Sequence, residues 1–119
     1  MIERLKRPTT FLVCRDFEAG DDSYSLLEVR EEFEGTSVAG FVEFHEISEQ
    51  MTFQMRLIGA DGETLDEAAA ELVPQSLEYL AAAHILEDYS GQGGLCAVEL
   101  RVNGELVSER FVRLGVQHG

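Results

Sequence analysis

From Thr9 to Asp16 the chain is apolar on both faces, with Phe11 and Val13 on one side and Leu12 and Cys14 on the other. A strand that is apolar on both sides belongs at the centre of its sheet. Ala19-Gly20-Asp21-Asp22 then reads as a turn. From Tyr24 to Phe33 the period is two, with Leu27, Val29 and Phe33 on one side and Glu28, Arg30 and Glu32 on the other. Leu26, Val29 and Phe33 also fit helical spacing, but strict alternation favours a strand. Val38 to Ile47 is rich in β-formers, with Val42 and Phe44 sharing a face.

Two Asx-Gly pairs predict hairpins. Asp61-Gly62 suits a two-residue type I′ turn, which needs positive φ at both positions. Pairing Ala60 with Glu63 sets Arg56 against Glu67, Ile58 against Leu65, Met55 against Ala68 and Phe53 against Ala70. Charge then meets charge and apolar meets apolar, as cross-strand pairing rewards. The competing expectation is a helix from Leu65 to Val73, opened by a capping box of Thr64 and Glu67. Asn103-Gly104 is the second type I′ signal. Pairing Val102 with Glu105 sets Leu100 against Val107, Cys96 against Phe111, Ala97 against Arg110 and Glu99 against Ser108. It also sets Glu109 against Val98 on the apolar face, a misfit that a β-bulge would repair.

Between the hairpins, Pro74 to Leu86 fits a helix opened by Pro74 or a strand, and Glu87 to Gly94 is a polar, glycine-rich loop. About seven or eight short strands at this spacing predict an all-β fold, an antiparallel sandwich. The alternative is an α+β fold with a helix within 64–86. The expected inward positions are Phe11, Val13, Leu27, Val29, Val42, Phe44, Phe53, Met55, Leu57, Val98, Leu100, Val107 and Phe111. One domain over 8–114 is expected, preceded by a basic arm at 1–7 and followed by a tail at 115–119.

The segment order resembles a family of small bacterial and phage-associated Ig-like β-sandwich proteins of unassigned function. The residues that carry the likeness are Phe11-Leu12-Val13-Cys14-Arg15-Asp16, Tyr24-Ser25-Leu26-Leu27, Phe53-Gln54-Met55-Arg56-Leu57 with Asp61-Gly62-Glu63-Thr64-Leu65, and Val98 to Glu105 followed by Glu109-Arg110-Phe111-Val112. The likeness spans roughly residues 8–114. Where such proteins carry a glycine and an aromatic entering the penultimate strand, this chain has Gly93-Gly94-Leu95. The resemblance implies an Ig-like sandwich and brings no catalytic residues with it.

Charge adds a constraint on partners. The chain of 119 residues has a net charge of −14, and residues 16–99 hold 20 acids against Arg30 and Arg56 alone. Such a field repels phosphates and anionic lipid heads, so neither nucleic acid nor membrane is an expected partner. No apolar run approaches the roughly 20 residues of a membrane span, and a cytoplasmic location is expected. Cys14 and Cys96 are expected to be free, buried thiols, although facing strands would allow a bridge.

No residue set announces chemistry. His45, His84 and His118 are far apart and share no ligand spacing with either cysteine, so no metal site is expected. Cys96 lies on the expected inward face and lacks the environment of a nucleophile. Gly91-Gln92-Gly93-Gly94 lacks the Lys-Ser or Lys-Thr of a phosphate loop. Paired carboxylates such as Asp21-Asp22, Glu31-Glu32 and Glu87-Asp88 are too numerous to mark an acid–base pair or calcium loop. No cofactor and no catalytic residue is expected. The candidate interaction surface is Glu28, Glu32 and Glu34, with Arg4, Lys6 and Arg7 as an arm suited to contact the acidic body of another copy. The expected function is that of a non-catalytic binding module with a protein partner, or a homodimer. The other two candidates are an acidic decoy that mimics nucleic acid and a small enzyme without a recognisable motif.

Overall fold

A computed structural model describes residues 6–21 and 23–116, and no helix occurs among them. The elements are β1 (Thr10–Ala19), β2 (Tyr24–Val29), β3 (Ser37–Ile47), β4 (Met51–Ile58), β5 (Thr64–Glu67), β6 (Glu71–Val73), β7 (Leu77–Glu87), β8 (Gly94–Val102) and β9 (Glu105–Leu114). These nine strands, against the seven or eight expected, form two antiparallel sheets packed as a sandwich. One has the order β2-β1-β3-β7, and the other the order β5-β4-β8-β9 with β6 also pairing β4. β1 is internal to its sheet, as its two apolar faces predict.

The inner faces follow from the period of two. Phe11 and Val13 of β1, Val38, Val42 and Phe44 of β3, and Leu86 of β7 meet Phe53, Met55 and Leu57 of β4 and Val98 and Leu100 of β8 in one core. Phe44 and Phe53 join the sheets, with ring centroids 5.6 Å apart. Gly40 sits between Val38 and Val42 on this face, where a Cβ would come within 2.7 Å of Met55 Sδ. Its missing side chain is what lets the methionine enter.

The Ala-rich stretch is extended rather than helical. The competing helices at 65–73 and 74–86 do not form, and β5, β6 and β7 stand in their place, because pairing with β4 and β3 overrides the local propensity of the alanines. Both hairpins form, each with a change. Asn103 and Gly104 have φ of 51° and 82°, as a type I′ turn requires, and Val102 pairs with Glu105. At the other hairpin only Gly62 has positive φ. Gly59 rather than Ala60 bonds Glu63, giving a three-residue loop. A register shift between Leu57 and Ile58 absorbs the difference, so Arg56 still faces Glu67, while Ile58 meets Thr64 and Phe53 meets Glu71.

The larger correction is in β9. A bulge between Leu100 and Arg101 moves the ladder by one, so Leu100 faces Ser108, Val98 faces Arg110, Ala97 faces Phe111 and Cys96 faces Val112. One inserted residue exchanges the faces of a strand. Val112 and Leu114 therefore enter the core and Phe111, expected inside, is 61% exposed. Val29, also expected inside, is 51% exposed, and Leu27 is half-buried. Phe33 lies beyond the end of β2 yet is buried in the core.

Phe44→Ala should cost about 3–5 kcal/mol, because it opens a closed cavity between the sheets. Phe41→Ala, three positions away on the other face of β3, should cost less than half as much, because the space it leaves opens to solvent. Urea unfolding with unchanged m checks both.

Candidate functional site

The outer face of the four-stranded sheet is apolar where a sandwich normally meets water. Alternation along β1, β3 and β7 sets three rows across it: Thr10–Glu43–Ala81, Leu12–Phe41–Ala83 and Cys14–Ala39–Ile85. Cys14, Ala39 and Phe41 are buried but lie outside the central core. They are covered from one side by the β1–β2 hairpin, where Tyr24 packs 5.7 Å from Phe41 and Phe17 packs 5.8 Å from Tyr24. The ladder skips Arg15 and Glu28 between the pairs Cys14–Val29 and Asp16–Leu27, and Glu28 has φ of 56°. Beyond that point the alternation inverts, which turns Phe17 and Tyr24 to the outside.

The remaining side of the face is open. Ile85 is 48% and Tyr79 45% exposed, with Ala81 and Ala83 between them. At its end Tyr79 donates to Glu43 Oε2 at 2.6 Å, the His45 ring packs at a tilt against Tyr79 with centroids 4.9 Å apart, and His45 Nδ1 meets Thr9 Oγ1 at 2.7 Å. The hydrogen bond from Tyr79 holds the Glu43 carboxyl below its ordinary range, with help from Thr10 and His45, and the same bond raises the Tyr79 phenol. The ionised carboxylate is thus the favoured state at this end. The opposite sheet presents a contrasting surface. Arg56 pairs with Glu67 at 3.3 Å and Arg101 with Glu99 at 3.2 Å, and Gln54 bonds the carbonyl of Ala68.

The residues singled out from sequence fall in two separate places. Glu28 lies between two guanidinium groups, Arg15 and Arg30, the latter at 3.1 Å. Glu32 and Glu34 converge with these three around a cavity of about 370 Å³ at the end of the sandwich. The glutamates are thus brought together, though around arginines rather than as one solvated acidic face. Lys6 and Arg7 lie elsewhere and contact their own body, Lys6 Nζ at 3.2 Å from the Glu46 carbonyl and Arg7 donating to the Val107 carbonyl at 2.9 Å. Arg4 and His118 lie outside the described residues, as does Asp22 of the expected turn.

Both thiols are free and buried, and burial raises both above their ordinary pKa. Such thiols are poor nucleophiles. His84 Nε2 lies 3.2 Å from Glu71 Oε1 and makes no hydrogen bond with it. Among the described residues no group of three or more His, Cys, Asp or Glu side chains could hold a metal ion. Nor is any helix there long and apolar enough to cross a membrane.

One organising residue escaped the sequence reading. Asp88 is a buried acid in the β7–β8 loop, hidden in sequence among 23 acids. Its Oδ1 accepts from the amide and hydroxyl of Ser90, and its Oδ2 accepts from the amide of Gly93 at 2.9 Å. Burial alone would raise its pKa, but the bonds from Ser90, Gly93 and Gly91 outweigh burial and hold it below the ordinary 3.8. The only sequence signal was the following Gly91-Gln92-Gly93-Gly94, whose positive φ angles at three glycines let the loop fold over the carboxylate.

No protein-family model and no curated protein matches the chain. Among solved structures it is similar to a β-glucosidase from Listeria innocua in complex with glucose, with 16% identity and a TM-score of 0.56. The match covers 90% of this chain and 16% of that one. At this identity the likeness concerns the fold alone.

With its folded pKa below 3.8, Asp88 contributes stability that is complete above pH 3.8 and is lost as pH falls through the folded value. Asp88→Asn should lower the melting temperature at pH 7, and should flatten the loss of stability between about pH 4 and pH 2. Thermal melts of both proteins across that range check this.

Proposed function

We propose that this chain is a non-catalytic interaction module that docks on another protein through the outer face of its four-stranded sheet. The observation that carries this is the second apolar cluster, Cys14, Ala39 and Phe41, buried on a face that no second layer of the described residues covers and continued by the open Ala81, Ala83 and Ile85. Contiguous exposed apolar surface on a small domain marks an interaction site more often than chance exposure does.

Charge selects the kind of partner. The carboxylates at the two ends of the face are Glu43 and Glu87, paired in register with Ala81 and Ser37, and the whole chain carries −14. Two copies of this face would set acid against acid, so the fitting partner has an apolar centre and basic side chains around it. The fold's occurrence as 16% of a much longer chain supports an accessory role. The acids themselves favour a module over a nucleic-acid mimic. Asp16, Asp61 and Asp66 accept from backbone amides, Glu67 and Glu99 pair with arginines on the opposite sheet, and Asp88 is buried.

Ala83→Glu combined with Ile85→Glu should leave the circular dichroism spectrum unchanged and weaken capture of the partner from an extract of the producing cells at least about tenfold. Arg56→Ala with Glu99→Ala, on the opposite sheet, should capture it as the parent does. Loss of capture by the second variant but not the first would overturn the assignment of the face. A dimer seen by sedimentation and abolished by Ile85→Glu would replace the basic partner with a second copy.

A further inference from the structure

A cavity of about 530 Å³ lies at the border of this face, on the open side of the sandwich between β1 and the edge strand β9. Among the described residues, two unpaired strand edges border it. On one wall, β2 leaves β1 at the Cys14–Val29 pair, so the Phe11–Val13 stretch has no neighbouring strand on that side. The carbonyl of Phe11 points into the gap, where it accepts from Arg110 Nε at 3.0 Å. On the other wall, the upper end of β9 is already capped by the chain's own segment 31–35, running parallel to it. Arg113 donates to the Glu31 carbonyl at 2.8 Å, Phe33 donates to the Arg113 carbonyl at 2.9 Å, and Gly115 donates to the Gly35 carbonyl at 2.9 Å.

Alternate residues of an antiparallel strand turn their amide and carbonyl to the same side. Arg113 turns its own away from β8, so Phe111 and Glu109, two and four residues upstream in an unbroken register, do likewise. Among the described residues no backbone group bonds them there. Beside these bare groups stand Phe111, 61% exposed, and Val29, 51% exposed, with Leu12 between the walls.

We infer that this gap is a strand-addition site, which takes a short extended peptide from another protein in line with segment 31–35. The peptide's backbone bonds Glu109 and Phe111, and apolar side chains at alternate positions cover Phe111, Val29 and Leu12. The gap is bordered by β1 on one side and β9 on the other, which favours a lone strand along the β9 edge over one that brings neighbours. The edge strand of a second copy brings its own sheet with it, along with a further charge of −14. This site meets the docking face proposed above at Leu12, but it is reached through the edge of β9 and does not use Ala83 or Ile85.

The test is to pan a displayed library of random nonapeptides on the whole chain. Enriched peptides should carry apolar residues at alternate positions and should slow hydrogen exchange at the amides of Glu109 and Phe111. They should lose about tenfold or more in affinity when alternate backbone nitrogens are methylated, and similarly on Phe111→Ser. The Ala83→Glu/Ile85→Glu variant should bind them unchanged, which separates failure here from failure of the docking face. The inference is overturned if no peptide is enriched, if binders survive backbone methylation, or if the two amides are slowed without peptide by self-association.

Discussion

The period of two along a strand is the constraint on which the rest of this structure depends. Each side chain of a strand is committed to one face, and a single irregularity reverses that commitment for everything beyond it. Two irregularities do this here. The bulge opposite Leu100 and Arg101 turns Val112 and Leu114 into the core and Phe111 out of it. The left-handed Glu28, held between Arg15 and Arg30, inverts the β1–β2 hairpin and lays Phe17 and Tyr24 over Phe41. The core supplies stability, but these two places decide which apolar groups remain at the surface, and so where another molecule can bind.

The outcome is a sandwich with two unlike outer surfaces. One sheet faces water with Gln54, Arg56, Glu67, Glu99 and Arg101 in mutual contact. The other keeps a small apolar cluster of its own, half covered by a hairpin and half bare. The open side between β1 and β9 is spanned by side chains rather than by a strand, with Arg110 reaching Phe11 and Arg7 reaching Val107. Each departs from the plain two-layer pattern of apolar inside and polar outside, and the proposed contacts with other molecules rest on these departures.

Much of the fold was legible from local pattern. Asn103-Gly104 defined its turn because only residues tolerant of positive φ fit there. Arg56 found Glu67, and the doubly apolar Phe11–Cys14 run marked an internal strand. Phe111 was misplaced for a physical reason: alternation counted from the turn is correct only until a residue is inserted, and a bulge has no fixed residue signature. The misfit of Glu109 against Val98 pointed to it without locating it. The alanines of β7 left helix and strand both open for a different reason, since their helical propensity is a local quantity and their pairing with β3 is not. Among the candidate site residues, Glu28, Glu32 and Glu34 do share one place, and Arg30 already stood on their side of the expected strand; Arg15, thirteen residues before Glu28, is the partner that spacing did not supply. Asp88 was hidden because an acid's burial depends on its loop closing over it.

The register of β9 bears on the core and on the peptide site alike, so it offers the most direct test. With native Cys14 and Cys96 both buried, single cysteines introduced by Phe111→Cys and Val112→Cys can be titrated with a thiol reagent under native conditions. The bulged register predicts rapid labelling at position 111 and protection at 112. Protection at 111 with labelling at 112 would restore the unbulged ladder and contradict the account.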